Sequence, residues 1–80
     1  MTVRVLLFAS YADALGTPEL PLDLAAGSSV GDVLHRIRML PGAAALPVKP
    51  LMAVNAEYAT FDRVVVDGDE VAIIPPVAGG

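Results

Sequence analysis

The 80-residue chain contains no cysteine. No disulfide can brace it, and no thiolate can act as nucleophile or metal ligand. Any sulfur chemistry must therefore use sulfur from outside its own side chains. There is a single histidine, His35. It falls on the polar side of a helical pattern and has no Cys or second His to complete a ligand set, so no metal site is expected. Basic residues are also few: 5 Lys and Arg stand against 9 Asp and Glu, for a net charge of −4. That balance excludes the basic footprint of a nucleic-acid binder. It suits a partner with a basic docking face, through steering more than affinity. No apolar run is long enough to span a membrane. The opening MTVRVLLFAS lacks a secretory cleavage pattern and reads as a strand, so a cytoplasmic protein is expected. No Ser-His-Asp set, P-loop or dinucleotide fingerprint is present.

What is there is apolar. The hydrophobic fraction is 55% in a chain with room for one small domain. So little interior cannot hide all of it, and the excess predicts a partner surface.

Along the chain, Val3 to Ala9 is a β-rich run with Val3, Val5 and Leu7 on one face and Arg4, Leu6 and Phe8 on the other. Both faces are largely apolar, which predicts a central strand. Ser10 to Leu15 predicts a short helical turn with Ser10 as N-cap. Leu20, Leu22 and Leu24 alternate with Pro21 and Asp23, and Pro21 assigns this strand to an edge. Ser28 or Ser29 caps the one amphipathic helix, in which Val30, Val33, Leu34, Ile37 and Leu40 share a face. Asp32 sits in its first turn, where the helix dipole favours a negative charge. Leu51 to Asn55 and Val71 to Ile74 are further strands, with a tight turn near Asn55-Ala56-Glu57 leading into Tyr58. Asp67-Gly68-Asp69 is a turn in which Gly68 supplies the backbone angle. The order is β-β-α-β-(β)-β. The densest apolar strands, first and last, belong side by side and parallel in the middle. The fold class is α+β: a β-grasp with a mixed four- to five-stranded sheet and one main helix on one face.

The sequence then runs Pro75-Pro76-Val77-Ala78-Gly79-Gly80. Residues 1–74 are read as the domain and 75–80 as an extended tail. Two prolines stiffen the exit. Extended at about 3.3 Å per residue, the tail reaches roughly 20 Å, enough to enter a slot in another protein. Glycines fit a narrow channel and adopt whatever backbone angle a foreign active site imposes. A terminal glycyl carboxylate is unhindered. It can be activated as an acyl adenylate and converted to a thiocarboxylate, whose sulfur resembles a thiolate.

DGDEVAIIPPVAGG, from Asp67 to Gly80, resembles nearly residue for residue the C-terminal signature of the sulfur carriers of molybdopterin synthase. VRVLLFA at the start, Ser29 to Leu34, and AVNAEY at Ala53 to Tyr58 support the resemblance. It implies a ubiquitin-like β-grasp. It implies that an E1-like enzyme uses ATP and magnesium to adenylate Gly80, with Gly79 beside it, and that a sulfurtransferase yields the thiocarboxylate. The chain itself would bind no cofactor. It would dock on the large synthase subunit in a heterotetramer, with the catalytic residues on that subunit, and donate sulfur to cyclic pyranopterin monophosphate. By position, the docking surface would use Phe8, Tyr58 and Ile74, with Pro75, Pro76, Val77 and Ala78 following into the partner. Relatives often carry glycine where Ala56 stands, so the turn type is open: at φ > 0 alanine is strained. The residue reading also admits a carrier for thiamine or cysteine synthesis, a β-grasp interaction module without covalent chemistry, and a modifier passed to lysine.

Overall fold

The computed structural model describes residues 1–76. Strand β1 (Thr2–Leu7) is followed by helix α1 (Ala9–Leu15), strand β2 (Glu19–Asp23) and helix α2 (Val30–Ile37). A 3₁₀ turn at Ala43–Ala45 leads to β3 (Leu51–Val54), β4 (Glu57–Tyr58) and β5 (Glu70–Ile74). The five strands form one sheet in the order β2-β1-β5-β3-β4. β1 and β5 run parallel, with Val5 beside Val71 and Leu7 beside Ile73. The other pairings are antiparallel. The expected central parallel pair is therefore present, and β2, with Pro21, lies at an edge. This is the ubiquitin-like β-grasp.

Alternation builds the core. Val3, Val5 and Leu7, Val71 and Ile73, and Met52 and Val54 all turn inward and are buried. Against them lie Val30, Val33, Leu34 and Ile37 of α2, the same stripe that the helical spacing predicts. Of the two candidate caps, Ser29 is the one used. Its hydroxyl accepts the Asp32 N–H at 3.2 Å, while the Asp32 carboxylate accepts the Ser29 N–H at 2.9 Å, a reciprocal capping box.

Two boundaries differ from the sequence reading. Ser10 lies inside α1, whose N-cap is Phe8 with no side-chain cap. Helix formation one residue earlier is possible because Ala9 takes a left-handed φ of 47° and turns the chain sharply off β1. The main helix stops at Ile37, short of Leu40. There the Met39 and Leu40 N–H groups bond back only three residues, to Arg36 and Ile37, and tighten the end. Gly42 fixes the loop that follows: at φ 90°, a Cβ there would meet the Ala14 carbonyl oxygen at 2.0 Å. The aromatic ring of Tyr11 also enters the core, 5% exposed, a place the helical-turn reading did not assign it.

Candidate functional site

The sheet face away from α2 is uncovered by any element of the described residues, and its composition is unusual. Strand parity places Arg4 and Leu6 of β1 there, with Glu70, Ala72 and Ile74 of β5, Leu51 and Ala53 of β3, and Tyr58 of β4. One row of neighbours crosses four strands: Tyr58 beside Ala53, Ala53 beside Ala72, and Ala72 beside Leu6. At about 4.8 Å per strand, this apolar row is roughly 14 Å wide. The two alanines leave its middle low. Around them lies a hollow of about 410 Å³ lined by Leu6, Phe8, Ala53, Asn55, Ala56, Tyr58, Glu70, Ala72 and Ile74.

Phe8, Tyr58 and Ile74, named from the sequence as docking residues, thus meet in one hollow. Phe8 is 46% exposed and Tyr58 73%, exposures that a core role would not leave. Phe8 is held outward by extended geometry at φ −123° and ψ 153°, immediately before the turn at Ala9. Ile74 is half-buried and ends β5, so the chain leaves the sheet at the rim of the hollow. Pro75 is half-buried and Pro76 exposed at that exit. Val77, Ala78, Gly79 and Gly80 lie outside the described residues.

Leu6, Ala53, Ala72 and the exposed Leu51 were not singled out from the sequence. The signal was available. The parity argument that put Phe8 opposite Val3, Val5 and Leu7 places Ala72 with Ile74 and Ala53 with Leu51, once β3 and β5 are paired.

A larger hollow, about 630 Å³, lies at the other end of β1, lined by residues including Thr2, Arg4, Glu19, Pro21 and Asp67. Size does not make it the better candidate. Its guanidinium is engaged: Arg4 lies 2.8 Å from Glu70 and 3.6 Å from Glu19. The hydrogen bond and charge of Glu70 raise the Arg4 pKa further, so Arg4 stays cationic and paired. This hollow is far from the tail exit and lacks the aromatic walls of the smaller one.

Beside the apolar hollow, polar contacts order its rim. Asn55 and Ala56 both hold left-handed backbones, at φ 49° and 70°, and form a two-residue turn between β3 and β4. This is the type I′ geometry, which answers the question left open by Ala56. The Asp69 carboxyl is held below its usual value of 3.8 by the Val66 N–H, then by the Asn55 amide. Among the described residues, no group of three His, Cys, Asp or Glu side chains stands close enough together to hold a metal ion. No helix there is long and apolar enough to cross a membrane.

Comparison with known proteins agrees with this geometry. A molybdopterin synthase sulfur carrier subunit of Arabidopsis thaliana is 35% identical over 79 residues, covering 98% of this chain and 82% of the relative. The protein of the same name from Chlamydomonas reinhardtii is 36% identical over 83 residues, covering the whole of both. Among solved structures, the small archaeal modifier protein 1 of Methanosarcina acetivorans superposes with a TM-score of 0.81 at 31% identity, covering 99% of this chain and 96% of that one. The ThiS family model matches residues 5–80, from the first strand through Gly80. The chain belongs to the ThiS family.

Proposed function

We propose that this chain is the sulfur carrier subunit of molybdopterin synthase. The observation that carries the reading is the convergence of Phe8, Tyr58 and Ile74 in one exposed hollow at the point where β5 gives way to Pro75-Pro76. Relatives at 35% and 36% identity bear that name over nearly the whole chain. The apolar hollow docks the large synthase subunit, and the tail, from Pro75 through Ala78, carries Gly79-Gly80 into that subunit's active site. The two small and two large subunits form a heterotetramer, acting in the cytoplasm.

The chemistry needs no catalytic side chain here. At an E1-like enzyme, a Gly80 carboxylate oxygen attacks the α-phosphorus of magnesium-bound ATP and releases pyrophosphate. The terminal sulfur of a sulfurtransferase persulfide displaces AMP to give an acyl disulfide, and a second thiol attacks the sulfurtransferase sulfur, forming a disulfide with it and releasing the thiocarboxylate. The thiocarboxylate sulfur bonds to a side-chain carbon of cyclic pyranopterin monophosphate in the large subunit as the oxygen on that carbon leaves, and water hydrolyses the acyl link and returns the Gly80 carboxylate. A second thiocarboxylated carrier supplies the second sulfur. The absence of cysteine suits this role, because the borrowed sulfur meets no competing thiol on its own chain.

Intact mass spectrometry tests the reading. After incubation with the activating enzyme, ATP, magnesium and a sulfide source, the chain gains about 16 Da, the exchange of oxygen for a thiolate-like sulfur, localised to Gly80. An unchanged mass counts against it. A second reading follows from the likeness to an archaeal modifier protein. The same activated terminus, passed to a lysine amine, would give a stable amide adduct on a target protein. Carriers for thiamine or cysteine synthesis would share the mass gain and fail to bind the large synthase subunit.

A further inference from the structure

The hollow has a wall that the sheet secures at few points. β4 holds only Glu57 and Tyr58, lies at the sheet edge, and pairs with β3 through Ala53 and Val54, with one further bond from the Ala59 N–H to the Met52 carbonyl at 3.0 Å. A pair so short is marginal without further support. Its turn is strained besides at Ala56, an alanine held at φ 70°. Yet Tyr58, 73% exposed, must stand in a fixed place if it is to act as a rigid anchor.

Asn55 supplies the missing support. Its N–H donates to the Glu70 carbonyl at 2.8 Å. Its side-chain amide Nδ2 donates to Asp69 Oδ1 at 2.9 Å, and its Oδ1 accepts the Glu70 N–H at 3.0 Å. The other Asp69 oxygen, Oδ2, accepts the Val66 N–H at 2.9 Å, so the carboxylate is itself fixed on two sides. One side chain thus ties the β3–β4 turn to the root of β5, and β5 is held in turn by β1 and β3. Bonds to a charged acceptor are the stronger kind. Two residues of the tie, Asn55 and Glu70, themselves line the hollow beside Tyr58, as does Ala56 of the turn.

We infer that Asn55, through its clasp on Asp69 and Glu70, is a positioning residue that pre-organises Tyr58 for docking of the large subunit. The inference rests on the docking reading above. It adds that part of the affinity comes from holding the wall in place before the partner arrives, which lowers the cost of ordering it on binding.

A double-mutant cycle on the affinity for the large synthase subunit tests it, paired with amide hydrogen exchange on the free carrier. N55A is expected to weaken docking about tenfold, the loss typical of removing a hydrogen bond to a charged group. In a Y58A background the same change is expected to cost almost nothing, because Asn55 acts through Tyr58. In the free carrier, N55A speeds exchange in the β3–β4 hairpin and at the Glu70 amide, which loses its acceptor, and leaves the amides of β1 and of β5 beyond Glu70 protected. N55D sets two carboxylates against each other and should weaken docking more. The exchanged pair N55D/D69N reverses donor and acceptor, keeps every hydrogen bond of the clasp, and should restore affinity. The inference is overturned if N55A docks as tightly as the wild type, if its cost is undiminished in the Y58A background, or if hairpin exchange is unchanged. Failure of the wild type to bind the large subunit would defeat the docking reading instead, and the exchange measurement would still decide whether the clasp orders the hairpin.

Discussion

Ala56 sits at φ 70°, where its Cβ crowds the backbone. An L-residue in this region costs about 1 kcal/mol relative to glycine, offset in part by the freedom glycine retains when unfolded. Nothing in the fold requires the methyl group to be there, since Ala56 is exposed at the rim of the hollow. A56G is therefore expected to stabilise the domain by roughly 0.5–1 kcal/mol, read from the midpoint of urea unfolding. A loss of stability would mean that the alanine methyl packs more usefully than its exposure shows. At this scale the sequence raised the right question and could not answer it. Asn55-Ala56 is a weaker turn signal than Asn-Gly, and only the pairing of Val54 with Glu57 makes both central angles positive. Gly42 shows the same limit differently. In the sequence, Pro41-Gly42 reads only as a helix stop; the glycine is obligatory because of the Ala14 carbonyl, 28 residues away in sequence and touching in space.

Among the elements, α2 was legible because its signals agree. Apolar spacing, a serine cap and an acidic first turn all point to one helix starting near Val30. The capping box makes that start quantitative. S29A removes the acceptor for the Asp32 N–H and is expected to cost about 1 kcal/mol. Thermal unfolding should show it as a lower midpoint, with the helical circular-dichroism signal of the folded state retained. If S28A were instead the costly change, the cap assignment would be wrong. The end of α2 was less legible. Leu40 continues the apolar spacing, so periodicity alone extends the helix to it. The chain stops sooner because the Met39 and Leu40 N–H groups bond back only three residues, and Pro41 disfavours helical backbone at the residue before it. Apolar periodicity does not encode that tightening. α1 was misplaced by one residue for a related reason. Ser10 has the chemistry of a cap, but the sharp turn at Ala9 begins the helix before the serine can serve.

Over the whole molecule, the sheet divides two tasks between its faces. The inner face is closed by α2 and holds the fold. The outer face keeps an apolar row and two exposed aromatic residues, and the chain leaves it at Ile74 toward the tail. The family resemblance named Phe8, Tyr58 and Ile74, and the structure brings these three to one hollow. The fold was readable because alternation is a local property, and because the first and last strands carry the densest apolar runs. The alanine floor of the hollow was not, because it exists only when Ala53 and Ala72 are set side by side by the β3–β5 register. This division makes docking and chemistry separable. A chain lacking Gly79 and Gly80 retains every residue of the hollow, so it is expected to dock on the large subunit with affinity within a few-fold of the full chain. It can carry no sulfur. Added in excess to a reaction with thiocarboxylated carrier, it should act as a competitive inhibitor of pterin dithiolene formation, relieved by raising the carrier concentration. Addition of F8A/Y58A to the shortened chain should abolish the inhibition, since exposed aromatic anchors of this kind typically contribute 2 kcal/mol or more, about thirtyfold in affinity. If the shortened chain neither binds nor inhibits, the tail rather than the sheet face supplies the docking energy, and the apolar row needs another explanation.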